Sequence, residues 1–250
     1  MSLKHFKHST IPFCGFIWAI VGLPILYITA ISYDHVQPVV PFVSTLGIHP
    51  PEKYMFQWLF TIYLILATFS QCLWCSKLMQ TLTKRSKSKV PILLTLLVGL
   101  IMIVSGMCIL GLTYIDTKED NRSHYRLTLL NFTCHILAMT ISVPVIIVTF
   151  DRWLFFSTIR LLLLIQMMFA AIGFTYYNRI GLGVLQAKDF YYIKSYEPGY
   201  EEFKWSAISE WFIVLGCAEF TLIMGLEIKE TEKFDLLSSH KFKQDVQVKV

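Results

Sequence analysis

Histidines and carboxylates that could carry acid–base chemistry occupy two short polar segments of this 250-residue sequence. His35, His49 and Glu52 lie in the first segment, and Asp120 and His124 lie in the second. A histidine held by a carboxylate can act as a general base in acyl chemistry. The sequence contains no Gly-x-Ser-x-Gly elbow, no metal-type histidine pair and no phosphate-binding loop. We therefore predict no catalytic residue, no metal site and no cofactor.

A second group of ionisable residues lies inside the most apolar parts of the sequence. The last apolar segment contains Glu210, Glu219 and Glu227. Nine positions separate Glu210 from Glu219, which puts them on opposite sides of a helix with 3.6 residues per turn. They therefore cannot act as one carboxylate pair. Glu227 is expected to be solvated, since it lies at the end of its segment.

Amide and imidazole side chains at matching depths are the expected partners of these carboxylates. With a rise of about 1.5 Å per residue, Asn131 and His135 lie near the depth of Glu210, and two glutamines lie near that of Glu219. The predicted polar cluster consists of His135, Glu210, Glu219, Gln166, Gln71 and Asn131. Ionisable residues inside a membrane span often belong to a functional site. The alternative is that this cluster only supplies hydrogen bonds between helices, worth about 0.6 kcal/mol each.

Six long apolar segments must position these residues. The chain is 55% hydrophobic and 16% charged, with a mean hydropathy of +0.56, whereas a soluble domain is roughly 25% charged. A membrane-spanning helix needs about 20 apolar residues. We predict an all-α polytopic bundle with an uncleaved first helix. The predicted spans are 11–33, 55–76, 90–115, 127–150, 153–177 and 205–228, followed by a tail at 229–250. Arg160, inside the fifth span, is expected to snorkel to the headgroups.

The distribution of basic residues predicts the orientation of the bundle. The connector 77–89 contains five lysines and arginines and no acid, so the positive-inside rule places it in the cytoplasm. Six spans then put both termini in the cytoplasm, with 14 basic residues on the inner side and 8 on the outer side. The net charge of +5 thus lies beside the membrane, which indicates lipid headgroups as partners and argues against nucleic acid.

The first outer connector, residues 34–54, has the most distinctive pattern in the chain. Prolines at positions 38, 41, 50 and 51 disfavour a regular helix, which predicts a packed lid across the helix ends. From Pro41 onward the connector reads Pro-aromatic-Val-Ser-x-x-Gly-x-x-Pro-Pro-Glu. The residues of this first-loop motif are His35, Pro38, Pro41, Phe42, Ser44, Gly47, Pro50, Pro51 and Glu52.

This motif resembles the first loop of the damage-regulated autophagy modulator (DRAM) family, within the Frag/DRAM/Sfk superfamily of six-helix membrane proteins. The segment Ser206-Ala207-Ile208-Ser209-Glu210-Trp211 is similar to the opening of that family's last helix. A fainter likeness connects Leu112-Thr113-Tyr114, Glu119-Asp120 and His124 to the branch that remodels the lipids of glycosylphosphatidylinositol (GPI) anchors.

The resemblance implies a non-enzymatic, multi-pass regulator of the autophagy–lysosome system. Such a protein would act through membrane lipids or partner membrane proteins, in lysosomal or other endomembranes. One alternative is a lipid-handling factor of GPI-anchor remodelling in the Golgi, and another is a plasma-membrane adaptor for a lipid kinase. Fold resemblance alone does not transfer an activity.

Two short motifs concern processing and sorting. Glu232, Leu236 and Leu237 fit the acidic-x-x-x-Leu-Leu pattern that clathrin adaptors read in cytoplasmic tails. Asn121 begins an Asn-x-Ser sequon on the predicted outer side, which makes it a candidate for glycosylation.

Overall fold

The described part of the computed structural model is entirely helical apart from its connectors. Residues 7–37, 39–85, 88–184 and 192–247 are described, with side chains as far as residue 233. Pro38 of the first-loop motif lies outside these residues. The helices are α1 (Thr10–Ser32), α2 (Glu52–Arg85), α3 (Val90–Tyr114), α4 (Thr117–Thr149), α5 (Trp153–Val184) and α6 (Tyr200–Gln247), with a 3-10 helix at Ser44–Gly47.

All six helices of the described residues are long and apolar enough to cross a membrane, which confirms the predicted architecture. Their surfaces carry large apolar side chains, among them Phe169, Trp58 and Met107, which are 73%, 70% and 68% exposed. A soluble protein rarely displays so much contiguous apolar surface. Hydrocarbon is the solvent in which this surface is stable.

The helices extend beyond several of the predicted spans. α2 begins at Glu52 and continues to Arg85, and α4 begins at Thr117 with Asp116 as its N-cap. α6 continues past residue 228 to Gln247, so the tail predicted at 229–250 starts as part of this helix. Hydropathy marks only the apolar part of a helix, whereas backbone hydrogen bonding continues into polar sequence.

α6 lies at the centre of the bundle. Each helix packs against the next in the chain, and α6 also packs against α1 and α2. In its most apolar stretch 61% of the residues are buried, compared with 22% for α3 at the edge. Polar groups on α6 are therefore enclosed by protein, whereas α3 turns most of its surface to lipid.

Polar contacts tie elements together at the end of the bundle where α1 begins. The backbone N–H of His8 donates to Glu232 Oε1 over 2.9 Å, which joins the start of α1 to α6. Arg85 forms a two-pronged pair with Asp151 at 2.8 and 2.9 Å, and this pair lowers the pKa of Asp151. The predicted topology makes this end the inner end, and the opposite end is called the outer end below.

Candidate functional site

The first connector folds down onto the outer ends of the helices and forms the lid, defined here as residues 34–51. Val36, Val43 and Leu46 of the lid are buried against apolar residues of α1 and α2. The short 3-10 helix follows Phe42, whose carbonyl accepts a hydrogen bond from the hydroxyl of Thr45 over 2.8 Å. The Phe42 ring packs edge-on against aromatic residues of α5 and α6. The lid is therefore part of the packed core.

Glu210 and Trp211 of α6 clamp the lid through polar contacts. Glu210 is 5% exposed, and its Oε2 accepts a hydrogen bond from the backbone N–H of Val43 over 2.6 Å. The indole Nε1 of Trp211 donates to the carbonyl of Pro41 over 2.8 Å. The first-loop motif and the segment that opens the last helix are thus one structural unit, although 167 positions separate Val43 from Glu210.

A histidine–carboxylate pair holds the two ends of the lid together. Nδ1 of His35 lies 2.9 Å and 3.1 Å from the two carboxylate oxygens of Glu52, which is 1% exposed. Glu52 is in the first turn of α2, where a negative charge is favoured by the helix dipole. The ring of His49 lies 4.9 Å from that of His35. Burial, together with His35, lowers the pKa of His49.

The outer end of α2 is joined to the α3–α4 connector by Lys53. Its ammonium group donates to Asp116 over 2.7 Å and to Glu119 over 2.9 Å. Asp116 also accepts hydrogen bonds from the backbone N–H groups of Lys118 and Glu119. Burial opposes ionisation of Asp116, but Lys53 and these N–H groups outweigh it and lower the pKa of the carboxyl.

A cavity of about 70 Å³ lies directly beneath the lid. Its walls are mostly apolar side chains of α1, α2, α3 and α6, and its polar lining includes Ser44, His124, Asn131 and Glu210. A hydrogen bond to the main chain holds His124 in place, because its Nδ1 lies 2.6 Å from the carbonyl oxygen of Ile115. The cavity has room for a small group.

The histidines and acids of the two polar segments do not form one centre among the described residues. His35, His49 and Glu52 lie together. Asp120 accepts a hydrogen bond from the backbone N–H of Ser123, at a kink in α4 where its own backbone is non-helical. His124 faces the cavity and the carbonyl of Ile115. In the described part of the chain, no group of three or more His, Cys, Asp and Glu residues has a geometry that could hold a metal ion.

The residues of the predicted polar cluster separate into four sets. Glu210 binds the lid, whereas His135 lies 3.1 Å from the hydroxyl of Ser105, which itself donates to Asn131 over 2.7 Å. Among the described contacts His135 has none with Glu210, because its Nδ1 faces α3 and its own helix.

Glu219 has one of its two expected amide partners. Gln166 Nε2 donates to Glu219 Oε2 over 3.1 Å. Gln71 lies at a similar depth, but its amide donates to the sulfur of Cys75, four residues further along the same helix, over 3.2 Å. Matching depth therefore identified one partner and failed for the other, because depth does not define the direction in which a helix faces.

The sequence-based expectations for Arg160 and Glu227 are both wrong. Both side chains are completely buried and form a salt bridge. Arg160 Nε and Nη2 donate to the two oxygens of Glu227 over 2.7 and 2.6 Å, and Nη1 donates to the hydroxyl of Ser142 over 2.7 Å. Trp74 Nε1 donates to the same carboxylate over 2.5 Å. Opposite charge and four hydrogen bonds offset the cost of removing both ions from water.

Burial by neighbouring helices explains this correction. The guanidinium of Arg160 lies 5.3 Å from the ring of Trp74 and 5.0 Å from that of Phe220. These rings and α6 close the route to the headgroups that a snorkelling arginine would need. The sequence gives one indication of this salt bridge: a basic residue and an acidic residue lie near the same ends of two neighbouring spans.

The processing and sorting motifs lie at the edges of the described structure. Glu232 is half-buried against His8. The side chains of Leu236 and Leu237 are outside the described residues, so the adaptor motif stays a prediction. Asn121 is exposed near the start of α4, where its accessibility is compatible with the predicted glycosylation.

Gly47 of the first-loop motif provides a test of how tightly the lid is packed. A methyl group at this position would lie 2.7 Å from Cγ of the Phe56 ring. We expect Gly47→Ala to destabilise the protein by about 1–3 kcal/mol, because the buried ring must shift. Thermal unfolding in detergent measures the effect. Gly183→Ala is the matched control, since no atom lies within 4 Å of the added carbon. Equal unfolding temperatures for the two variants would contradict tight packing of the lid.

Comparison with known proteins identifies a family to which this chain is similar. A family model described as the Frag1/DRAM/Sfk1/Cwh43P N-terminal domain matches residues 8–231. The matched range begins just before α1 and ends within α6, so it includes the lid and the region of all six helices. No curated protein matches the chain, and neither does any solved structure.

Proposed function

Because this chain belongs to the Frag1/DRAM/Sfk1/Cwh43P family of membrane proteins, we propose that it is a multi-pass regulator of the autophagy–lysosome system. In this proposal the protein has no catalytic step of its own. It acts through the lipids around its helices or through partner membrane proteins that bind along them. The DRAM branch is the part of the family from which this role is inferred.

The observation that carries the proposal is the contact between the two DRAM-like segments. Glu210 and Trp211, from the segment that resembles the start of the family's last helix, bind the backbone of Val43 and Pro41 in the first-loop motif. A match of two separate motifs could arise by chance. Two motifs that interlock through main-chain hydrogen bonds define one site, which supports the assignment to the DRAM branch.

The placement of the intramembrane carboxylates supports a role without catalysis. Glu210 holds the lid, Glu219 accepts a hydrogen bond from Gln166, and Glu227 is paired with Arg160. Each of these carboxylates has a partner that fixes the position of one element relative to another. This arrangement suits a scaffold, since a general base needs access to the proton that it removes.

A second candidate function is lipid handling in GPI-anchor remodelling. The pair formed by His35 and Glu52, with His49 beside it, favours this alternative because it places a histidine–carboxylate pair at the outer end. A ligand's acyl group at the lid could be approached by His35, whose side chain is 30% exposed. The Golgi would then be the site of action.

Localisation of a tagged protein, combined with autophagic flux after its removal, distinguishes the candidates. We expect lysosomal localisation and altered flux that the intact chain restores. Restoration by His35→Gln is also expected, since glutamine can still donate to Glu52 and the proposed role does not use acid–base chemistry. Golgi localisation, normal flux and loss of GPI-anchored proteins from the cell surface would overturn the proposal in favour of lipid remodelling. Localisation at the cell surface would instead favour the adaptor for a lipid kinase.

The proposed lysosomal location depends on the acidic-dileucine motif in the tail. Replacing Leu236 and Leu237 together by alanine is expected to move the protein to the plasma membrane, because clathrin adaptors would no longer bind the tail. Surface biotinylation and microscopy of the tagged protein measure the change. Ser238→Ala with Ser239→Ala is the matched control and should leave the distribution unchanged. If the dileucine variant stays in lysosomes, the motif has no sorting role.

A further inference from the structure

A line of accessible residues runs along α6 through the membrane-spanning part of the helix. It consists of Ile208, Phe212, Leu215, Glu219, Leu222 and Leu226, which are called the α6 seam here. From residue 215 to residue 228 all other residues of the helix are buried. The steps between seam residues alternate between four and three positions, which is the heptad spacing by which one helix packs along another. The seam therefore has the pattern of a contact surface.

The seam faces the bilayer between two neighbouring helices. Ile20, Leu23 and Pro24 of α1 line one side of a groove of about 440 Å³ along its outer half. Gln166 of α5 lies on the other side, where its Nε2 donates to Glu219 Oε2 over 3.1 Å. Among the described residues α1 and α5 have no extensive contact with each other, so neither helix closes over the seam.

Two polar oxygen atoms on this face have no partner among the described residues. Of the three carboxylates in the span Glu219 is the least enclosed, since Glu210 and Glu227 are only 5% and 0% exposed. Hydrogen bonds of the described residues use Glu219 Oε2 and Gln166 Nε2, but neither Glu219 Oε1 nor Gln166 Oε1. Neither Oε1 is one of the unpaired polar atoms that the described bundle encloses completely, so both atoms reach its surface.

Acyl chains cannot satisfy these two oxygen atoms. With a rise of about 1.5 Å per residue, Glu219 lies about 14 Å from the inner end of the predicted span. At this depth the bilayer offers no hydrogen-bonding group, and an unpaired polar group is costly. Ionisable residues of membrane spans almost always face protein or a water-filled cavity. The surface around Glu219 is therefore one that we expect protein to cover.

A second copy of this chain complements the seam. The neutral form of a carboxyl group, which hydrocarbon favours, has one O–H donor, and Gln166 Oε1 is an acceptor. Two copies inserted with the same topology hold these groups at the same depth, so Glu219 of each copy can donate to Gln166 of the other. A two-fold axis repeats the contact, and the two hydrogen bonds leave none of the four Oε1 atoms unpaired.

We propose that two copies of this chain form a parallel dimer through the α6 seam, in which Glu219 of each copy donates to Gln166 of the other. The apolar seam residues pack against the second copy, because parallel helices with the same heptad spacing bring equal positions together. The polar contact fixes the register, as a single polar position does in coiled coils. The proposal does not depend on the autophagy role, because dimerisation is measured on the purified protein.

Energy transfer between two fluorescently labelled pools of the full chain in phosphatidylcholine vesicles tests the proposal. We expect a dimer signal that falls as the lipid-to-protein ratio rises and that unlabelled chain competes away. Glu219→Leu should weaken dimerisation about tenfold, because both intermolecular hydrogen bonds are lost. Glu219→Gln should keep most of the dimer, since an amide also offers a donor and an acceptor.

Cross-linking shows whether the seam is the surface in contact. On oxidation Leu222→Cys should give a disulfide-linked dimer, because equal seam positions meet across the two-fold axis. Leu100→Cys is the matched control, since Leu100 is 62% exposed on α3 and lies outside the seam. The unaltered protein, in which Cys14 and Cys72 are exposed, gives the background. Unfolding temperatures identify variants that fail to fold.

Three results would overturn the proposal. The first is an unaltered chain that stays monomeric at every lipid-to-protein ratio, which would leave lipid or a different membrane protein as the occupant of the seam. The second is undiminished dimerisation of folded Glu219→Leu, and the third is equal cross-linking of Leu100→Cys and Leu222→Cys. If Glu219→Leu does not fold, Phe212→Ala takes its place, because it shortens an exposed side chain of the seam and should also weaken the dimer.

Discussion

Arg160→Ala is expected to reduce the free energy of unfolding by about 3–5 kcal/mol, the largest effect of any single change considered for this chain. The substitution leaves the fully buried Glu227 without its opposite charge. It also removes a donor from Ser142 and empties the space between the rings of Trp74 and Phe220. Proteins of ordinary stability are stable by about 5–15 kcal/mol, so this loss is a large fraction of the total and should lower the unfolding temperature clearly.

Thermal unfolding and the monodisperse fraction in detergent measure this effect. Arg160→Met combined with Glu227→Gln should restore most of the stability, since it removes both charges and keeps an acceptor for Trp74 Nε1. Arg152→Ala is the matched control, because Arg152 is an exposed arginine at the start of the same helix. An unfolding temperature of Arg160→Ala equal to that of the unaltered protein would show that the pair does not stabilise the fold.

Glu210→Leu should release the lid while leaving the helices folded. The substitution removes the acceptor of the Val43 N–H at 2.6 Å, and a buried donor left without an acceptor costs about 1–3 kcal/mol. Backbone hydrogen exchange in the lid should therefore become about 5- to 150-fold faster. The Trp211–Pro41 bond and the buried side chains of the lid remain, so we expect greater opening and not unfolding of the lid.

Hydrogen exchange of peptides from residues 39–48, measured by mass spectrometry, tests this expectation. Glu210→Gln keeps a neutral acceptor and should give a smaller increase. Glu219→Leu is the control on the same helix, because Glu219 binds Gln166 and not the lid. If exchange in the lid is the same in Glu210→Leu as in the unaltered protein, packing alone holds the lid and the carboxylate does not clamp it.

These two sites give α6 a common role at both ends of the bundle. At its outer end Glu210 binds the lid, and at its inner end Glu227 binds Arg160 of α5. Both carboxylates lie in the most buried helix of the described structure. A change in the tilt or rotation of α6 would therefore affect the lid and the α5–α6 contact together. Such a link is what a scaffold that responds to lipids or partners would need.

Several local expectations from the sequence agree with the structure. Six apolar segments of sufficient length became six helices, and the proline-rich connector became a packed lid that lacks a long helix. The pairing of Gln166 with Glu219 was expected from depth alone. These features depend on the composition and length of single segments, which is why one sequence is enough to reveal them.

Composition and segment length were enough to predict the membrane class, the number of helices and the location of the distinctive loop. Which polar groups meet follows from the tertiary structure: Arg160 meets Glu227, Glu210 meets Val43, and Gln71 Oε1 has no donor among the described residues. Hydropathy and rise per residue give the depth of a side chain in the membrane, but they do not give the direction that it faces. That direction is set by how each helix rotates and tilts against its neighbours, and the rotation depends on the packing of all six helices at once.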